Sequence, residues 1–187
     1  MKSRICTYGD PVLRHRSRPV TAFDDDLRKL AEEMRRLMLE AQGVGLAAQQ
    51  VGEVCALFVL DIPPAADLDE HEQPLNPGLP RPLVAVNPEI IPVPGAAKET
   101  AEEGCLSLPE IRVPVTRPAE VILAFQDLEG RAQRFHLRGL AARAAQHEFD
   151  HLQGVLICDR VSPARKITLA GRLKRLKKHT LEERRII

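Results

Sequence analysis

Apolar positions in this chain follow a helical period in three stretches and a strand pattern in several shorter ones. From 24 to 42, Leu27, Leu30, Ala31, Met34, Leu37, Met38 and Ala41 recur at three and four residues, which predicts an amphipathic helix. Asp24 to Asp26 supply its N-cap and negative charge at the positive helix end, and Gly43 stops it. From 140 to 153, Ala141, Ala142, Ala144, Ala145 and Leu152 predict a second helix, apolar enough to be buried. Residues 163–180 predict a third, entered at Ser162-Pro163, within a basic C-terminal stretch that runs to 187. The runs at 54–62, 83–87, 90–93, 111–115, 121–126 and 132–137 read as strands, the last two joined as a hairpin through Asp127-Leu128-Glu129-Gly130. The expected fold class is α+β, with antiparallel β-sheets packed around the helix at 140–153 and with an N-terminal and a C-terminal helix.

Two segments fit neither pattern. Gly43-Val44-Gly45-Leu46-Ala47-Ala48-Gln49-Gln50 is a run of small residues ending in two amides, suited to a turn or to close approach by a substrate backbone. Residues 63–82 hold six of the fifteen prolines together with Asp67, Asp69, Glu70 and Glu72. That composition cannot form a core, so it reads as an exposed loop inserted in a single domain spanning 1–187. With 44% hydrophobic residues, 3% aromatic and no Trp, the core must be built from Leu, Val, Ile and Ala.

The N-terminus has no continuous apolar run, and no stretch approaches the roughly eighteen apolar residues that cross a membrane, so a cytoplasmic protein without a membrane partner is expected. Cys6, Cys55, Cys105 and Cys158 lie far apart and read as reduced thiols. The net charge of +1 conceals a division. Between Arg165 and Arg185 nine Lys or Arg face two Glu, a balance of +7 that leaves −6 for the rest.

The chemistry gathers at His147-Glu148-Phe149-Asp150-His151. On a helix two histidines four residues apart lie about 40° from each other, so both imidazoles reach one point, a metal site. Glu148 projects about 60° further round, outside the ligand set but close enough to touch a water there. The alternative is a pair of solvated helix residues, which the apolar flanks oppose, since burying unpaired histidines is costly. A catalytic ion of this type takes three protein ligands and one water. Candidates for the third are Glu182 or Glu183, on a charged tail, and Cys105, in the small-residue loop Glu103-Gly104-Cys105-Leu106-Ser107.

That loop, the run from Gly43 to Gln50, and Gln146-His147-Glu148-Phe149-Asp150-His151 resemble, in order, the three motifs of the peptide deformylases. The resemblance extends from Gly9-Asp10-Pro11-Val12-Leu13-Arg14 to the C-terminal helix. Gln49 stands where the family often has Pro, and the 63–82 loop is long for the subtype with a helical tail. The resemblance implies a metal-dependent hydrolase that removes the formyl group from the N-terminal formyl-methionine of newly synthesised polypeptides. It also implies that Cys105, His147 and His151 bind one ion, with Fe(II) the physiological choice and Zn, Ni or Co able to replace it. Glu148 would be general base and acid, and Gln50 with the Leu106 N–H would hold the oxyanion.

Arg143 and Leu140 lie on the helix face of His147 and, with Val44, are expected to wall a methionine pocket, while Gly45 admits the substrate backbone. Arg112 is expected to contact the peptide beyond its first residue, and Asp150 to orient a ligand or an arginine. For the basic tail the resemblance implies docking on the ribosome, against the plainer reading of a solvated surface helix packed on the domain, and a monomer is expected. Two other readings compete: a His-Glu-x-x-His peptidase cutting chain amides, which lacks a well-placed third ligand, and a ribosome or nucleic-acid binding module with a structural ion, for which no second cysteine stands near Cys105.

Overall fold

The computed structural model describes residues 4–186. Its elements are α1 (Asp25–Glu40), β1 (Gly45–Ala47), β2 (Leu57–Leu60), β3 (Leu83–Pro92), β4 (Lys98–Cys105), β5 (Leu108–Pro118), β6 (Glu120–Gln126), β7 (Ala132–Arg138), α2 (Gly139–Leu152) and α3 (Pro163–Ile186). Five strands form one antiparallel sheet in the order β1-β2-β3-β6-β7, and β4 with β5 forms a separate two-stranded ribbon. The α+β class and the three helices match the expectation.

The period-two rule divides β2 between two cores: Phe58 and Leu60 pack with Ala141, Ala142 and Ala145 of α2, while Leu57 and Val59 pack against Leu30, Met34 and Met38 of α1. Alanines on α2 let its backbone approach the sheet, which is why so short an apolar side chain recurs there. A third core joins Leu108, Ile111, Val113 and Val115 of β5 to Leu169 of α3 and to the N-terminal segment around Leu13.

Three elements differ from the sequence reading. The runs at 83–87 and 90–93 are one strand, β3, carrying a bulge between Val86 and Glu89. Asn87, at φ +49°, turns its side chain into the missing ladder, accepting from Val20 N–H at 2.7 Å and donating to Val20 O and Gln126 Oε1 at 2.8 Å each. β1 and β4 have no strand pattern in the sequence: the first is only three residues, Gly45-Leu46-Ala47, and the second is mostly exposed Lys, Glu and Thr in a ribbon.

Residues 63–82 are not wholly exposed. Asp67, Asn76 and Leu79 are buried. Asn76 accepts from Arg138 N–H at 2.8 Å and donates to Arg138 O at 3.1 Å, while Asp67 accepts from Asn76 and Arg81. The loop is thereby fastened at the entrance to α2. The tail also departs in detail: Leu169 is buried and Leu173 and Leu176 partly so, but Ile167 is 78% exposed and Ala170 is exposed. α3 is held at its far end by Thr180, whose hydroxyl meets Thr7 Oγ1 at 2.7 Å and donates to Tyr8 O at 2.9 Å.

Candidate metal centre and active site

Three parts of the fold converge on one cavity. β1 and the 3₁₀ turn Ala48–Val51 bring Gln50, the end of β4 brings Cys105, and α2 brings His147, Glu148 and His151. Cys105, His147 and His151 offer ligand atoms that all lie within 4.8 Å of one another, with Cys105 Sγ 3.2 Å from His151 Nε2. The two rings stand 5.2 Å apart, as residues four apart on a helix should. One thiol and two imidazoles make a donor set that divalent transition ions accept, so the residues fit a metal. Glu182 and Glu183 lie at the end of α3, outside this cluster.

Val44, Gly45, Gln50, Leu106 and Arg112 line the cavity. Leu140, Arg143, His147, Glu148 and Cys105 complete it, while His151 is buried behind them. Two of these do more than sequence reasoning assigned them. Arg143 lines the cavity, and its guanidinium is held by the ribbon: it donates to Glu103 Oε1 at 2.7 Å, Val115 O at 3.0 Å and Glu99 O at 2.9 Å, and so ties the ribbon to α2. Gly45 lies against Glu148: a Cβ there would come within 2.9 Å of Glu148 Cδ and Cγ and closer still to Oε1. The small residue makes room for a carboxylate as well as for a ligand.

Gln50 is aimed by the backbone. Its Oε1 accepts from Ala47 N–H at 2.8 Å, which leaves Nε2 facing Ser107 Oγ at 3.2 Å and Cys105 Sγ at 3.8 Å. The N-terminal segment brackets this corner, with Cys6 N–H donating to Gln50 O at 2.6 Å and Tyr8 N–H to Ser107 O at 2.8 Å.

Behind the ligands is a buried charge network, of which the sequence anticipated only the role of Asp150 toward an arginine. Glu103 accepts from Arg117 at 2.7 and 2.9 Å and from His147 Nδ1 at 3.0 Å. A carboxylate can only accept, so Nδ1 carries the proton and Nε2 is left free to bind an ion. Arg117 continues to Asp150 at 2.9 Å, and Asp150 accepts from Arg160 at 3.0 Å, so Asp150 serves arginines. Burial would raise the Glu103 carboxyl, but its bonds from His147 and Arg117 outweigh that and hold it down to about 2. Glu148 is the opposite case. Burial drives its carboxyl up to about 7 against the opposing pull of His147 and Arg117, and its buried Oε2 has no hydrogen-bond partner among the described residues.

The sequence model of the polypeptide deformylases matches residues 2–167 of this chain. The chain belongs to the polypeptide deformylase family. A peptide deformylase of Thermotoga sp. (strain RQ2) is 44% identical over 170 residues, covering 91% of this chain and 93% of that protein. The crystal structure of the peptide deformylase from Thermotoga maritima superposes with a TM-score of 0.73 at 44% identity, over 87% of this chain and 99% of that one. The Synechococcus elongatus peptide deformylase, solved in complex with actinonin, superposes with a TM-score of 0.76 at 39% identity, over 90% and 86% of the two chains. Cys105, His147 and His151 could hold one metal ion in this fold, and membership favours the deformylase reading over the peptidase and binding-module alternatives.

Proposed function

We propose how this chain's residues divide the work of the family reaction. The chain is a metal-dependent hydrolase that removes the N-formyl group from polypeptides. The observation that carries the division of labour is the convergence of Cys105, His147 and His151 beside a buried carboxylate, Glu148, whose Oε2 has no hydrogen-bond partner among the described residues. The first three hold the ion, which when bound supplies a Lewis acid and lowers the pKa of water towards about 7. Glu148 takes the proton from the attacking water and returns it to the leaving amine. Gln50 Nε2 and the Leu106 N–H donate to the formyl oxygen as charge develops on it, and a donor of this kind contributes about 2.7–4 kcal/mol to the barrier. Val44, Leu140 and Arg143 receive the methionine side chain, Gly45 the substrate backbone, and Arg112 the residues beyond. The N-terminal segment is bonded both to the residues beside the cavity, through Cys6 to Gln50 and Tyr8 to Ser107, and to α3 through Thr7 and Thr180, which supports one catalytic unit over 1–187.

Formyl-methionyl peptides are expected to be hydrolysed and acetyl-methionyl peptides to be left intact, because Gly45 and the Leu106 backbone leave room for a hydrogen and little for a methyl. Steady-state rates on the two peptides check this. Comparable rates would make the chain a general amidase, and cleavage within the peptide would make it a peptidase.

Fe(II) is the proposed ion on the resemblance to the deformylases, and the thiolate and imidazole set accepts it as it would zinc; iron as the dominant metal after anaerobic purification is the expected analysis, and zinc in its place would contradict it. No helix among the described residues is long and apolar enough to cross a membrane. A cytoplasmic monomer meeting nascent chains is the proposed setting.

Ribosome docking through α3 is supported by Arg165, Lys166, Lys174, Arg175, Lys177 and Lys178, all exposed on a helix whose other side is packed. Removing α3 would strip Leu169 from the third core and Thr180 from its bonds to Thr7 and Tyr8, so charge reversal is the cleaner test. The triple variant Lys174→Glu, Arg175→Glu, Lys178→Glu is expected to keep turnover on a short formyl-methionyl peptide and to bind ribosomes more weakly, with a shallower salt dependence. Equal binding and an equal salt slope in cosedimentation would contradict the docking role.

A further inference from the structure

The ribbon of β4 and β5 loses its pairing beside the metal centre. Gly104 faces Arg112 and Cys105 faces Leu108, so Pro109, Glu110 and Ile111 have no partners on β4. These three residues form a lip of the cavity, flanked by Leu108 and Arg112. The lip is anchored on its inner side, where Leu108 and Ile111 are buried beside Leu169 of α3. Its outer side has no ladder bonds to hold it, and Glu110 sits there at φ +60°, a conformation that a non-glycine residue keeps only when its surroundings enforce it. The Glu110 carbonyl accepts a hydrogen bond from the Arg172 guanidinium, reaching across from α3. Arg172 forms no ion pair among the described residues, so its charge is directed at this carbonyl.

We propose that Arg172 is a positioning residue that fixes the lip at Pro109–Glu110, so that the C-terminal helix shapes the binding of substrate residues beyond the formyl-methionine although none of its side chains enters the cavity. A hydrogen bond from a charged donor is stronger than a neutral one, and here it lies where the sheet supplies none. On this proposal the chain of a bound peptide leaves the cavity across the lip, which follows directly after Leu106 and Ser107 and borders the same cavity as Arg112. The inference rests on the deformylase reading of this cavity.

The test uses the full chain loaded with metal, the variants Arg172→Ala and Arg172→Lys, and two substrates: formyl-methionine amide, which ends before the lip, and a formyl-methionyl tetrapeptide. For Arg172→Ala, KM for the tetrapeptide is expected to rise about five-fold with kcat unchanged, the effect of one lost hydrogen bond felt in binding alone. The amide should be processed as by the wild type, and Arg172→Lys should recover most of the tetrapeptide KM. An unchanged tetrapeptide KM, or equal losses on both substrates, would overturn the proposal. Failure of the wild type on both formyl substrates would overturn the deformylase reading first and this inference with it.

Discussion

Replacing Glu148 by Gln is expected to lower turnover of a formyl-methionyl peptide by about 10²–10⁴-fold, the contribution of a positioned general acid and base. The change is nearly isosteric, so the buried side chain keeps its packing against Gly45 and the fold is undisturbed. Glu148 stands outside the set of three ligand atoms, so metal content should stay at one ion per chain. What Gln removes is the ability to take a proton from water and deliver it to nitrogen. The loss should therefore fall on kcat, with KM little changed. Turnover close to that of the wild type would end the assignment of Glu148 as the proton carrier.

A second large effect is expected at Gly45, where Ala should cost about 10²-fold in kcat, the scale of a misplaced catalytic group. The added methyl would meet Glu148 Cδ and Cγ at 2.9 Å and lie still closer to Oε1. The strand cannot yield, because Gly45 is paired with Leu60 of β2 and Leu46, Ala47 and Phe58 beside it are buried. Glu148 is the part that must move, and its carboxyl would be pushed away from the ligand cluster. Metal content should be retained, since the atoms nearest the new methyl all belong to Glu148 and none to Cys105, His147 or His151. A Gly45→Ala variant with full activity would show that the close approach has no catalytic consequence.

These two residues illustrate what was and was not legible in the chain. The helical period of Leu27 to Met38 and the alanine flanks of 140–153 are local signals, and each element appears where they place it. The histidine pair is equally local, because its geometry is fixed by helical spacing alone. The reason for Gly45 is not local. The sequence permits a turn or an approaching substrate, whereas the structure puts a carboxylate from α2 against it, a hundred residues away in the chain.

Glu103 and Arg117 show the same limit. They meet across a ribbon whose β4 strand is mostly exposed polar residues, so neither a buried ion pair nor a strand could be read from the hydrophobic pattern. Arg143 could be placed on the right face of α2 but not aimed, since its partners Val115 O and Glu99 O come from that ribbon. In the tail, spacing alone could not tell Ile167 from Leu169. Packing against Leu108 and Ile111 selects Leu169 and leaves Ile167 outside.

The most direct test of the central claim is mass analysis of the products that the metal-loaded chain forms from a formyl-methionyl peptide. Formate and the intact peptide with a free amino terminus are expected, in equal amounts. Fragments from cleavage within the peptide, or unchanged substrate, would contradict it.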